Sequence, residues 1–181
     1  DDIRMRAAER HYGRLFGAAH LSEILATAGK RYAAVTTGKI GNARLLAGRA
    51  AELGQPVLSI HGDTVSTPAA DFPTVAARFG PCPEMDFPNS GVTAWATRVL
   101  LEHMIPTHDP DLVVLWLNEP DLSYHYRGIT SVEAAETLAA ADTAFGKIHS
   151  WWEAEGRAKG FRLLTMSDHG HITVEGQIDV K

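Results

Sequence analysis

The stretch Leu112-Val-Val-Leu-Trp-Leu-Asn-Glu-Pro-Asp-Leu-Ser-Tyr-His125 decides the fold that the sequence predicts. Its first half is an unbroken run of apolar, β-prone residues, which predicts a buried strand ending near Asn118. Pro120 has a fixed φ and no N–H, so it favours the start of a helical turn. Asp121 and His125 would then lie one turn apart on the same helix face. The stretch therefore predicts a carboxylate beside an imidazole at the C-terminal end of a strand.

A second Asp–His pair follows another apolar segment. Arg162 to Met166 is predicted to form a strand, and Asp168-His169 come directly after it. In open α/β folds, ligands bind outside the carboxyl ends of the strands. Each pair also has an ordinary structural explanation, because acids favour helix N-termini and Asp168-His169-Gly170-His171 is equally a polar turn. Taken together, the two pairs favour a shared metal centre.

The residue types at these positions indicate which metal would bind. A mixed carboxylate and imidazole set without thiolate suits Zn²⁺ first, and then Mn²⁺ or Fe. Calcium is disfavoured because it takes oxygen ligands only. Two ions roughly 4 Å apart would clamp the attacking and leaving oxygens of a phosphoryl group in an in-line displacement.

The rest of the chain alternates strands with helices. Strands are predicted at 32–36 and 57–60, and amphipathic helices at 92–103, ending before Pro106, and at 134–152. Thr130 to Glu133 has the pattern of a capping box for the last helix. This order predicts an α/β fold with a largely parallel sheet and helices on both faces.

Two segments do not fit that simple alternation. Residues 61–90 hold many prolines, so we expect an irregular excursion over the sheet. Residues 172–180 are expected to start a hairpin or an edge strand. Because only four strands are evident and the chain opens on Asp1 without an initiator Met, we expect a fold that is cut at both ends.

Length and composition restrict the class of protein. The 181 residues, 45% of them hydrophobic and 22% charged, suit one globular domain. The net charge of −5 gives no reason to expect binding to a nucleic-acid polymer. The single cysteine, Cys82, excludes an internal disulfide and a cysteine-based zinc knuckle. No apolar run approaches the ~20 residues of a membrane-spanning helix.

Other polar residues have ordinary structural explanations. Gly38-Lys39 is not a P-loop, because Ala33 replaces the first glycine of that motif and Ile40 replaces its Ser or Thr. We interpret Thr36 and Thr37 as structural turn residues, and His61 with Asp63 as a contact at the rim of a site. We interpret His103 and His108 as solvated, Trp151-Trp152 as helix packing, and Cys82 as unreactive.

The two metal motifs carry a family resemblance. Trp116-Leu-Asn-Glu-Pro-Asp-Leu-Ser-Tyr-His125 with Gly128, and Ser167-Asp-His-Gly170, resemble the nucleotide pyrophosphatase/phosphodiesterase (type I phosphodiesterase) branch of the alkaline phosphatase superfamily. Residues 21–35 are similar to that family's helix and strand after the nucleophile. The resemblance implies a three-layer α/β/α sandwich with a mostly parallel sheet, and residues 1–181 as the central part of one such catalytic domain.

The resemblance also implies roles for these residues. Asp121 and His125 would hold one zinc ion, and Asp168 and His169 would hold the other. The family completes these sites with a further histidine, a further aspartate and a Thr or Ser nucleophile. We expect all three outside residues 1–181, so the chain as given is expected to be inactive alone, with no catalytic residue of its own.

The implied function is metal-dependent hydrolysis of a small phosphate ester such as a nucleotide, by a nucleotide pyrophosphatase or phosphodiesterase. One alternative is another activity of the superfamily, namely a phosphomonoesterase, sulfatase, phosphonate hydrolase or phosphoglycerate mutase. A second alternative is a non-catalytic binding module whose Asp and His residues only cap helices.

Overall fold

The fold is organised around the strand Tyr32–Thr36 (β1). In a computed structural model, which describes residues 2–14, 16–69, 71–174 and 176, β1 pairs in parallel with Val57–Ser59 (β2) and with Leu112–Trp116 (β3). The strand order is β2-β1-β3. Every residue of β1 is buried, because it has a strand on each side and helices over both faces. The predicted parallel sheet is confirmed.

Helices precede the first strand, lie between the strands and follow the last of them. Their bounds are α1 (Asp2–Tyr12), α2 (Leu21–Thr27), α3 (Ile40–Ala47), α4 (Asp71–Phe79), α5 (Ser90–Val99), α6 (Ile105–His108), α7 (Asp121–Arg127) and α8 (Val132–Trp151). A 3₁₀ turn covers Asp63–Val65, and π turns cover Leu100–Met104 and Trp152–Gly156.

Two hydrophobic cores lie on opposite faces of the sheet. Alternate residues of a strand point to opposite faces, so Ala33 and Val35 join one core, and Tyr32 and Ala34 join the other. The first core contains side chains from α4, α5, α6 and α8. The second contains side chains from α2 and α3. The result is the α/β/α layering that the sequence predicted.

The predicted strand at 162–166 is wrong. These residues form no regular element, and Leu164 and Met166 are 79% and 86% exposed. An apolar run shows only that a segment could pack, whereas a strand also needs a neighbour for its N–H and C=O groups. The described part of the chain pairs nothing with this segment. The interpretation of β3 as buried also needs correction, because β3 is half-buried and, among the described residues, pairs only with β1.

Residues 61–90 are more regular than predicted. They contain the 3₁₀ turn and α4, which places Val75 in the first core between Phe72 and Phe79. The helical spacing of these residues was hidden by Pro73. That proline lies in the first turn of α4, where a missing N–H is tolerated.

The helix that begins at Ser90 does not end before Pro106, as was predicted. It passes through the π turn and continues to His108, with Pro106 in the first turn of α6. The cap of α8 is also shifted by one residue, because Ser131 rather than Thr130 accepts the N–H of Ala134, at 3.0 Å.

The expected hairpin or edge strand at 172–180 lies mostly outside the described residues, and 172–174 form no regular element. Among the described helices, none combines the length and apolar character needed to cross a membrane.

Candidate metal centre

Thr37 links the carboxyl ends of β1 and β3, and Thr36 fixes the turn that follows β1. The Thr37 N–H donates to the Trp116 carbonyl at 2.9 Å, and the Thr37 hydroxyl accepts the Asn118 N–H at 2.8 Å. The Thr36 hydroxyl accepts the Gly38 N–H at 3.0 Å. Both threonines are buried. Their interpretation as structural turn residues is confirmed, because these bonds fix where the two strands end.

Glu119 then sets the position of α7. Its Oε1 accepts the Asn89 N–H at 2.8 Å and the Ser123 hydroxyl at 2.9 Å, and its Oε2 accepts the Ser123 N–H at 3.0 Å. The side chain therefore satisfies an N–H in the first turn of α7 and joins that helix to the residue before α5. The sequence reasoning had assigned no role to this buried carboxylate.

Asp121 and His125 lie where the sequence placed them. Asp121 is the first residue of α7, and His125 is one turn further on. Their closest atoms, Asp121 Oδ1 and His125 Nε2, are 3.4 Å apart. Asp121 is partly buried and His125 is exposed, so both side chains can be reached from solvent.

The segment after α8 brings the second pair to the same place. His169 Nε2 is 3.5 Å from Asp121 Oδ1 and 3.7 Å from Asp168 Oδ2. The residues come from an extended stretch and not from the end of a strand, yet they converge with the first pair. All four predicted side chains therefore meet at the edge of the sheet where β1 and β3 end.

His171 is a member of this cluster that the prediction omitted. Its Nε2 is 2.8 Å from Asp121 Oδ1, and its ring lies 5.0 Å, between centroids, from the rings of both His125 and His169. The sequence contained a signal for it, since His171 closes the Asp-His-Gly-His turn that was recognised only through its first two residues.

The cluster has the chemistry of a site for a transition-metal ion. One carboxylate oxygen, Asp121 Oδ1, faces three imidazole nitrogens, although it has too few lone pairs to accept a good hydrogen bond from each. The ligand atoms of Asp121, His169 and His171 all lie within 4.8 Å of one another. A divalent cation among these atoms would satisfy the carboxylate and the neutral rings together.

An open pocket adjoins the cluster. It has a volume of about 490 Å³ and contains all four predicted residues. The remaining lining residues come from the ends of β1 and β3, from α3 and from α7, and they are Lys39, Asn42, Trp116, Leu117, Asn118, Leu122 and Tyr126. Lys39 gives the pocket an ammonium group, and the two asparagines give it neutral donors, which suits an anionic substrate.

The structure also decides several secondary interpretations. His103 and His108 are not solvated: His103 is buried, and His108 Nε2 lies 2.8 Å from Asp71 Oδ2. Burial raises the pKa of the Cys82 thiol to about 11, which agrees with its interpretation as unreactive.

Two further interpretations concern packing and contacts near the pocket. His61 Nε2 is 3.1 Å from the Gly38 carbonyl, which is a contact with the loop after β1 rather than with the pocket lining. Trp151 packs at the margin of the first core, as predicted.

Comparison with known proteins adds one match. A family model described as Type I phosphodiesterase / nucleotide pyrophosphatase matches residues 49–181, which is more than half of the chain. The matched range includes Asp121, His125, Asp168, His169 and His171. No curated protein and no solved structure matches the chain.

Proposed function

Because the chain belongs to the type I phosphodiesterase / nucleotide pyrophosphatase family, we propose that its metal centre serves the hydrolysis of a phosphodiester or pyrophosphate bond in a small nucleotide-like substrate. Family membership makes the protein a hydrolase of phosphate esters. We further propose which metal binds, which residues hold it, and that diesters are preferred over monoesters.

The observation that carries the proposal is the convergence of Asp121, His125, Asp168 and His169 on one pocket. We propose two zinc ions, one held by Asp121 and His125 and the other by Asp168 and His169. The distance of 3.5 Å between Asp121 Oδ1 and His169 Nε2 supports a single connected site, because the two Asp–His pairs then border the same space. When bound, the ions would supply positive charge to the phosphoryl oxygens.

The chain's own residues would bind and orient the substrate. Lys39 would pair with a phosphate oxygen, and the side-chain amides of Asn42 and Asn118 would donate hydrogen bonds from the same wall of the pocket. We place the Thr or Ser nucleophile outside residues 1–181, because the hydroxyls of Thr36 and Thr37 are buried in backbone hydrogen bonds.

The test uses the full-length protein and three chromogenic substrates: bis-p-nitrophenyl phosphate, the p-nitrophenyl ester of thymidine monophosphate, and p-nitrophenyl phosphate. We expect the diesters to be cleaved faster than the monoester. Asp121→Asn and His169→Gln should each lower kcat/KM for diesters by roughly 10²-fold or more, as loss of electrostatic stabilisation of the transition state does. His149→Gln, a substitution of an exposed histidine on α8, is the matched control.

Three results would contradict the proposal. Preference for the monoester would favour another activity of the superfamily. Full diester activity in Asp121→Asn and His169→Gln would show that these side chains are not needed as metal ligands for the reaction. A folded protein with neither bound metal nor activity would favour the binding module.

A further inference from the structure

A second group of metal-ligating side chains lies away from the candidate metal centre. Asp71 is the first residue of α4, His103 lies in the π turn after α5, and His108 is the last residue of α6. His108 precedes the start of β3, whereas Asp121 follows its end. The two clusters therefore lie near opposite ends of β3.

The three ligand atoms of this second cluster are close together and shielded from solvent. His108 Nε2 is 2.8 Å from Asp71 Oδ2, and one ligand atom from each of Asp71, His103 and His108 lies within 4.8 Å of the other two. His103 is only 5% exposed, and the side chains of His108 and Asp71 are 19% and 18% exposed. The cluster is thus a built feature of the interior and not a group of surface residues.

These atoms lack ordinary hydrogen-bond partners. Asp71 Oδ2, His103 Nε2 and His108 Nε2 are buried, and none of them makes a hydrogen bond within the described part of the chain. The close approach of His108 Nε2 to Asp71 Oδ2 is therefore not aligned as an N–H···O bond. Buried polar atoms without partners are rare and call for an explanation such as an ion. Three unpartnered atoms on residues whose ligand atoms lie this close together are the pattern that a shared cation would explain.

The other ring nitrogen of His103 supports the same interpretation. His103 Nδ1 lies 3.4 Å from the hydroxyl of Thr107, so the nitrogen without a partner in the described part of the chain is Nε2, as in a histidine whose other nitrogen binds a metal.

The helix backbone is shaped so that the two histidines meet. On a regular α-helix, residues five apart point roughly 140° away from each other. Here the helix passes through the π turn Leu100–Met104, and the rings of His103 and His108 lie 5.8 Å apart between centroids. π turns inside helices occur frequently at functional sites.

We propose that Asp71, His103 and His108 form a second transition-metal site, which takes zinc and leaves its fourth position to water. Two imidazoles and a carboxylate are a recognised zinc ligand set, and they disfavour Ca²⁺ and Mg²⁺. Bound zinc would join α4 to α6 and hold residues 71–79 on the first core. This site is independent of the proposed hydrolase chemistry.

The test starts from the full-length protein with Asp121→Asn and His169→Gln, so that the candidate metal centre does not contribute. This background protein is stripped of metal, incubated with ZnCl₂, desalted and analysed for zinc by mass spectrometry. We expect about one zinc ion per chain, held by three protein ligands and a water molecule. Adding Asp71→Asn or His108→Gln should weaken zinc binding at least tenfold, and adding His149→Gln should not.

Retention of the zinc by both the Asp71→Asn and the His108→Gln proteins would overturn the proposal, and so would a background protein that binds none. Substitutions at a buried cluster can prevent folding, so thermal unfolding of the background protein is compared with and without zinc. Saturating zinc should raise its Tm by several degrees. An unchanged Tm would show that the cluster is only a buried ion pair.

Discussion

At the level of single residues, Glu119 holds the edge of the sheet where the candidate metal centre forms. Its two oxygens accept three hydrogen bonds, which connect the start of α7 to Asn89. Hydrogen bonds to a buried charged group are stronger than those between neutral groups, and removing the acceptor leaves the donors unsatisfied. The orientation of Asp121 therefore depends on a side chain that cannot touch the substrate.

We expect Glu119→Gln to lower the free energy of unfolding by about 1–3 kcal/mol. The glutamine NH₂ would replace one of the two carboxylate oxygens, and it would then face a hydrogen-bond donor of Asn89 or Ser123 instead of accepting from it. Urea denaturation of the full-length protein measures this loss. Glu136→Gln, on the exposed face of α8, is the control and should change stability by less than about 0.5 kcal/mol. Equal effects of the two substitutions would contradict the role given to Glu119.

Tyr32 links stability to alkaline pH. Burial raises its pKa to about 12 from the ordinary value of 10.0, so the folded protein keeps the phenol protonated after the unfolded chain has ionised. The stabilisation is complete below pH 10 and is lost as the pH rises from 10 to 12. Tyr32→Phe removes both this ionisation and the hydrogen bond to the Leu46 carbonyl, which is 3.1 Å long.

Near pH 7, Tyr32→Phe should cost about 1 kcal/mol of unfolding free energy. Between pH 10 and 12, the stability of the wild type should fall relative to the variant by roughly 2–3 kcal/mol, because the unfolded state loses a proton that the folded state retains. Denaturation curves at pH 8, 10 and 11.5 make the comparison. A difference that does not change with pH would show that Tyr32 is not shielded in solution.

At the level of elements, α8 packs on α5 with one unsatisfied polar atom. Thr137 is fully buried, and its hydroxyl has no hydrogen-bond partner in the described part of the chain. A buried hydroxyl without a partner destabilises the folded state, because water would have bonded to it in the unfolded chain.

We expect Thr137→Val, which keeps the shape and removes the hydroxyl, to raise the melting temperature, with a gain of about 1 kcal/mol. Thr143→Val on the same helix is the matched control. The Thr143 hydroxyl is exposed and donates to the Ala139 carbonyl at 2.8 Å, so its removal should leave stability nearly unchanged. A destabilised Thr137→Val protein would indicate a partner for this hydroxyl, such as a buried water.

The elements that the sequence predicted best were those with a clear hydrophobic pattern, either a short unbroken apolar run or a long helical period. The β1 strand and α8 followed directly from such patterns. By contrast, α4 was hidden by a proline in its first turn, and the helix through Pro106 continued because a π turn accommodates the missing donor. Residues 162–166 have the composition of a strand, but a strand forms only beside another strand that pairs with its backbone. The composition of a segment does not show whether such a neighbour exists.

At the level of the whole molecule, the candidate metal centre was predictable because parallel strands bring their carboxyl ends to one edge. That rule placed Asp121 and His125 correctly after β3, whereas Asp168 and His169 reach the same place from an extended segment that is not a strand. The cluster of Asp71, His103 and His108 could not be predicted in this way. It depends on the local shape of a π turn and on how α4 packs against the first core. Neither of these leaves a hydrophobic periodicity in the sequence.

We expect a zinc chelator such as 1,10-phenanthroline to lower the diester hydrolysis of the full-length protein by roughly 10²-fold or more. Added Zn²⁺ should restore it, whereas Mg²⁺ should not, because imidazole ligands select transition metals. The non-chelating isomer 1,7-phenanthroline is the control. Undiminished hydrolysis after removal of metal, verified by elemental analysis, would contradict a metal-dependent mechanism.

The segment from Arg162 to Val174 has no helix or strand of its own, yet it supplies His169 and His171 to Asp121. Confining each residue of such a stretch reduces backbone entropy, at roughly 1–2 kcal/mol per residue. If a metal ion binds at the candidate centre, as proposed above, its affinity would be the intrinsic strength of the ligands reduced by the free-energy cost of ordering this segment. Substitutions that stiffen the segment without touching a ligand would tighten metal capture, and added glycines would loosen it.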